Sequence, residues 1–196
     1  LEEIEVNIKS GEIDKAKELL LTLDEIPHVA EEVEELHKKY KYVSILQKAY
    51  EESDFKSCYE LLDMHKDLKS VDLGVLLENH WSKLMLKCEE YALEGNIRDI
   101  KKILGELITL HNRSNKIGDL LRVSFHTRIG VLMERKDFKG AEAIIYTYID
   151  VFGIDNEIDQ IMRNFEKVLA RKLAFTQTEQ RPSRDSWRHS KIITKH

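Results

Sequence analysis

Apolar side chains recur along this chain as helical stripes. Ile13, Ala16, Leu19, Leu20 and Leu23 follow the i, i+3, i+4 spacing of one buried helix face. The same short pattern returns as Phe55, Cys58, Leu61 and Leu62, then as Ile97, Ile100, Ile103 and Leu104, then as Phe138, Ala141, Ile144 and Ile145. Their first members stand 42, 42 and 41 residues apart. So even a period predicts one supersecondary unit used several times. Each copy opens on a turn residue followed by a polar one: Gly11-Glu12, Ser53-Asp54, Gly95-Asn96 and Lys136-Asp137.

Longer amphipathic stretches separate the short ones. Positions 29–51 carry Val33, Leu36, Tyr40, Val43, Leu46 and Tyr50 on one face. Positions 71–93 hold Leu73, Leu76, Leu77, Trp81 and Cys88, and positions 114–135 hold Ile117, Leu120, Leu121, Phe125, Ile129 and Leu132. Short helices are expected over 12–24, 54–68, 97–110 and 138–151. Ser53, Ser70, Asn96 and Asp137 are the expected N-caps, because a short side-chain oxygen can accept an orphan backbone N–H. Pro27 is expected to end the helix over 12–24, and Gly153 to take positive φ after 138–151. A final helix starts at Asp155 or Asn156 and buries Ile158, Ile161, Met162, Phe165 and Leu173. Lacking a following partner, it suits a terminal cap. From Thr176 the apolar period fails, so the chain divides into a helical domain over 1–175 and a tail over 176–196.

Composition agrees with long helices. There are only 8 Gly and 2 Pro among 196 residues, too few turn-makers for a many-stranded sheet. No apolar run approaches the length of a membrane span. Cys58 and Cys88 fall at apolar helix positions, as small buried hydrophobes. This pattern fits a cytoplasmic protein, and the start at Leu1 rather than Met fits an excised piece of a longer one. The net charge of −5 is uneven. Residues 171–196 hold seven basic and two acidic side chains, so they carry +5 and the rest carries −10. An acidic body disfavours binding along a phosphate backbone.

The turn followed by a short helix resembles the second half of a tetratricopeptide-type repeat. Gly11-Glu12-Ile13, Ala16 and Leu19-Leu20 match its turn, small residue and paired large residues, as do Lys136-Asp137-Phe138, Ala141 and Ile144-Ile145. Ser53-Asp54-Phe55 with Cys58 and Gly95-Asn96-Ile97 with Ile100 are looser copies. Two features depart from the family: a period of 42 where it has about 34, and Leu46, Cys88 and Ile129 where it places a small residue. The resemblance implies an all-α, right-handed α-solenoid of stacked antiparallel helix pairs, with eight or nine helices over about 1–170.

It also implies an interaction or scaffold module that binds a peptide or helix of a protein partner through a concave face made by the longer helices. That face would carry Tyr40, Val43, Gln47 and Tyr50, then Ser82, Met85 and Glu89, then Val123, His126 and Met133. Self-association is compatible with it. The alternative is a regulatory helical domain whose tail contacts nucleic acid or another anionic surface through Arg181, Arg184, Trp187, Arg188 and Lys191. These interleave cations with one aromatic ring. No cofactor or metal is expected, because the histidines are scattered and none shows the i, i+4 spacing of a helical zinc site. No phosphate loop, nucleophile elbow or catalytic Cys/His spacing appears, so enzymatic activity is not expected.

Overall fold

The computed structural model describes residues 1–24 and 30–179. Pro27 lies outside them, and so does the expectation attached to it. The described residues hold nine α-helices and no strand: α1 Glu2–Ser10, α2 Ile13–Leu23, α3 Ala30–Glu51, α4 Phe55–Met64, α5 Asp72–Leu93, α6 Ile97–Leu104, α7 Ser114–Glu134, α8 Phe138–Phe152 and α9 Asn156–Glu179. Short 3-10 turns follow α4 (Lys66–Ser70) and α6 (Gly105–Thr109 and His111–Arg113).

One turn geometry occurs four times. Gly11, Ser53, Gly95 and Lys136 take φ of 82°, 59°, 68° and 60°. The next residue donates its N–H five positions back in each case: Glu12 to Asn7, Asp54 to Ala49, Asn96 to Tyr91 and Asp137 to Leu132, at 2.8 to 2.9 Å. The left-handed residue donates three positions back, to Ile8, Tyr50, Ala92 and Met133. This paired closure satisfies the last carbonyls of the first helix and reverses the chain into the second. The second helix is then capped from outside. Asp54, Asn96 and Asp137 accept the N–H groups of Ser57, Asp99 and Gly140 at 3.0 to 3.2 Å. Glu12 makes no such bond.

Behind the turns, equivalent positions share one environment. Ala16, Cys58, Ile100 and Ala141 are buried, as are Leu20, Leu62, Leu104 and Ile145, none more than 3% exposed. Ile4, Leu46, Cys88 and Ile129 do the same in the preceding helices. Filling such slots contributes about 1.5–3 kcal/mol per large side chain.

Several expectations need correction. Ser53 is the left-handed residue, and Asp54 is the cap. Ser70 donates its hydroxyl back to Asp67 and does not cap α5. The helix expected over 54–68 stops at Met64, where His65 turns to φ −120° and ψ 86°. The one expected over 97–110 stops at Leu104, because Gly105 adopts φ 50° and ψ −127°. Leu76 and Leu173 are exposed, and Phe55 and Ile103 are partly so, while Tyr59 is buried in the core. Gly153 has φ 77°, as its position predicts. Helix α9 runs on to Glu179, past the point where the apolar period fails.

The chain divides into two compact units, Leu1–Thr127 and Arg128–His196. In the first, α1 packs on α2 and α3, α2 on α3, α3 on α4, α4 on α5 and α5 on α6. The 3-10 turn Lys66–Ser70 packs against α3, α4 and α5. It approaches α5 so closely that a Cβ on Gly74 would fall on the Leu68 carbonyl oxygen. In the second unit α8 packs on α9. Phe138 meets Phe165 edge-on at 6.4 Å, and Lys172 lies 4.9 Å over the Phe138 ring. Asp155 caps α9 by accepting from Ile158 at 2.8 Å.

Candidate functional site

The first unit is centred on a buried arginine. Arg113 ends the 3-10 turn before α7, and its side chain is 8% exposed. Its Nε and Nη2 donate to both oxygens of Asp63 on α4, at 2.9 and 2.8 Å. Nη1 and Nη2 donate to both oxygens of Glu78 on α5, at 3.3 and 2.6 Å. Lys69 reaches the same two carboxylates at 3.5 and 3.2 Å. The rings of Tyr59 and Trp81 each lie 4.7 Å from the guanidinium carbon. They pack edge-on to each other at 5.2 Å. A planar cation with fixed donors suits two bidentate partners and two ring faces, which a lysine ammonium would not. Burial alone would raise the Glu78 pKa, yet Arg113 and then Lys69 hold it below its ordinary value. The Arg113 pKa is raised, because its hydrogen bonds to Asp63 and Glu78 outweigh burial. All of these charges are paired, so the cluster builds structure and leaves nothing open to a ligand.

An open site lies alongside it. Phe55 at the start of α4 is 37% exposed and meets Tyr50 of α3 edge-on at 6.1 Å, itself 38% exposed. On its other side Phe55 stacks on His80 of α5 at 6.0 Å. Phe55, His80, Leu84, Ile103 and Leu107 line a groove of about 460 Å³, with Asp54, Lys56 and Glu106 among its polar residues. His80 also borders a shallow cavity lined by Val75, Leu76, Asn79 and Lys83.

The buried Tyr59 fixes the chemistry of His80. The Tyr59 hydroxyl donates to the Leu77 carbonyl at 3.1 Å and lies 3.1 Å from His80 Nδ1. A phenol has one proton, so Nδ1 supplies the proton of the second bond. In the neutral ring Nε2 is then an acceptor. The groove therefore offers aromatic faces, aliphatic walls and one imidazole acceptor. Burial pushes the Tyr59 pKa up to about 12, which keeps that hydroxyl protonated.

No family model, curated protein or solved structure matches this chain.

Of the residues expected on a concave face, Val43 and Met85 are in the core at 2% and 6% exposure. Their helix side packs against neighbouring helices. Tyr40 and Gln47 are half-buried, Ser82 and Val123 are exposed, and Glu89 binds Lys116 at 2.6 Å. His126 belongs to the first unit and Met133 to the second, both half-buried. Tyr50 is the member that borders the aromatic run. Arg181, Arg184, Trp187, Arg188 and Lys191 lie outside the described residues.

Among the described residues no group of three or more His, Cys, Asp or Glu could hold a metal ion. No helix there is long and apolar enough to cross a membrane. Cys58 is buried, and burial pushes its thiol up to about 11, far from a reactive thiolate.

The sequence pattern gives no role to Arg113, Asp63, Glu78 or His80, and it places Phe55 and Ile103 on a buried stripe, not on a groove. The ionic partners stand 50 and 35 positions from Arg113. No helical periodicity links residues that far apart.

Proposed function

We propose that this chain is a tetratricopeptide-like α-solenoid module that binds a peptide or helix of a partner protein in the groove between α4, α5 and α6. The observation that carries this reading is the half-exposed aromatic run of Tyr50, Phe55 and His80 beside Ile103 and Leu107. Aromatic rings with aliphatic walls and a few fixed polar groups are what interface centres are made of. Support for the solenoid comes from the recurring turn and from sequential packing in the first unit, where each helix from α1 to α5 packs on the next. No catalytic step is assigned to the groove, and a cytoplasmic setting goes with the two buried, unpaired cysteines.

The test is affinity capture followed by mass spectrometry, with the intact chain, a Phe55→Ala/Ile103→Ser variant and a chain ending at Glu179. A Tyr146→Ala variant on the exposed face of α8 is the control. A protein recovered by the intact chain, the shortened chain and the control, but at least about tenfold less by the groove variant, is the expected result. Recovery that depends on residues 180–196 and disappears with nuclease would favour the tail and nucleic acid instead.

A further inference from the structure

The aromatic groove holds one polar atom whose role is fixed from behind. Tyr59 is fully buried, and its hydroxyl donates to the Leu77 carbonyl. His80 Nδ1, 3.1 Å from that hydroxyl, therefore carries the proton of the bond between them. Nδ1 faces inward, so the outer edge of the exposed ring, with Nε2, is left where the two cavities bordered by His80 meet. No hydrogen bond reaches Nε2 among the described residues. Around the ring stand Phe55, stacked on it at 6.0 Å, and Leu84, Ile103 and Leu107. Asp54 is engaged in capping α4, and Lys56 lies 3.9 Å from Glu60.

We propose that the groove takes a tryptophan of the partner segment, its indole N–H donating to His80 Nε2 and its rings lying against Phe55, Ile103 and Leu107. This rests on the reading of the groove as a protein-binding site and names what that site selects. The selection follows from hydrogen-bond chemistry. An acceptor set among rings and aliphatic side chains loses its water when the groove fills, and an unanswered acceptor weakens binding. The occupant must therefore bring a donor on an apolar body. Phenylalanine and leucine bring the body without the donor. Lysine brings donors on a charge that these walls would strip of water. Tyrosine brings a donor together with lone pairs that aliphatic walls leave unanswered. Indole has one N–H, no acceptor and a large ring surface. Tyr59 is the positioning residue, because it denies His80 the tautomer in which Nε2 would donate and repel the indole N–H.

The experiment titrates the full chain into two fluorescein-labelled, uncharged twelve-residue peptides. One has a central tryptophan. The other has benzothienylalanine there, which keeps the ring shape and puts sulfur in place of N–H. Saturable binding of the tryptophan peptide is expected, at least about fivefold tighter than that of the sulfur peptide. Phe55→Ala/Ile103→Ser should weaken both peptides, and His80→Phe should make them bind alike. Equal binding of the two peptides by the unaltered chain overturns the inference. If Phe55→Ala/Ile103→Ser still weakens both, the groove reading stands without it. A tryptophan preference that survives His80→Phe puts the acceptor elsewhere and overturns it too. Absence of saturable binding by either peptide also overturns it, and the capture experiment then decides the groove reading alone. Tighter binding by a chain ending at Glu179 than by the intact chain would assign the groove to Trp187 of the chain itself and overturn the partner's tryptophan as occupant.

Discussion

Arg113 shows how much one side chain can organise. It binds two carboxylates with both edges of its guanidinium and lies against two aromatic rings. Its removal leaves Asp63, 9% exposed, facing Glu78 with only Lys69 between them. Breaking a buried pair from one side is expensive, because the remaining charge stays in a poorly solvated place. Arg113→Ala is therefore expected to destabilise the protein by about 3–5 kcal/mol in urea unfolding. Arg113→Lys should recover only part of that loss, since an ammonium cannot make two bidentate contacts and a ring sandwich together. A loss under about 1 kcal/mol for the alanine variant would mean the cluster adds little net stability, as surface ion pairs do. None of this was legible in the sequence. Arg113 sits in a polar stretch, His111-Asn112-Arg113-Ser114, with nothing to mark it as buried. Burial of an arginine depends on partners brought by other helices, and a one-dimensional pattern carries only the spacing along its own.

At the scale of elements the sequence was far more readable, because turns and stripes are local. The four turn openings and the buried slots behind them follow from residues within about ten positions of one another. What went astray was equally local in cause. Two short helices end sooner than the apolar spacing predicts, since that spacing continues through His65 and Gly105 while the helical backbone does not. The slot of Phe55 predicts a core position, yet that slot opens on a groove. The turn also supplies a test. Two of its four left-handed positions, Ser53 and Lys136, carry side chains whose Cβ crowds the backbone there. Ser53→Gly and Lys136→Gly should each raise stability by up to about 1 kcal/mol, the relieved strain less the extra entropy of glycine. Thermal unfolding of each single variant would check it, and a lower midpoint in both would show that the left-handed geometry carries no strain. The neighbouring Asp54 and Asp137 are caps and should behave in the opposite way on replacement.

At the scale of the whole molecule, stability is tied to acid through Glu78. Its pKa is held below 4.5 in the folded protein. A depressed carboxylate contributes stability that is present above its unfolded value, near 4.5, and is lost as pH falls through the lower folded value. The protein should unfold more readily as pH falls below about 4.5, and Glu78→Gln should flatten that part of the profile while lowering stability at pH 7. Urea midpoints at pH 7, 4.5 and 3.5 give the comparison. An unchanged slope in the glutamine variant would assign the acid response to other carboxylates, such as Asp54, whose pKa is also lowered, first by its bond from the Ser57 hydroxyl.

The clasp between Arg113 and Asp63 joins residues 50 positions apart and encloses α5 and α6. In polymer terms it closes a loop, and closing a loop restricts everything inside it. Neither enclosed helix can peel away far while the clasp holds, so the stretch from α4 to the start of α7 is cast as one opening unit, not a row of independently fraying pairs. The aromatic groove is built from residues of that stretch, and its shape is renewed or lost as a whole. A partner held there would meet a surface that is either fully assembled or absent.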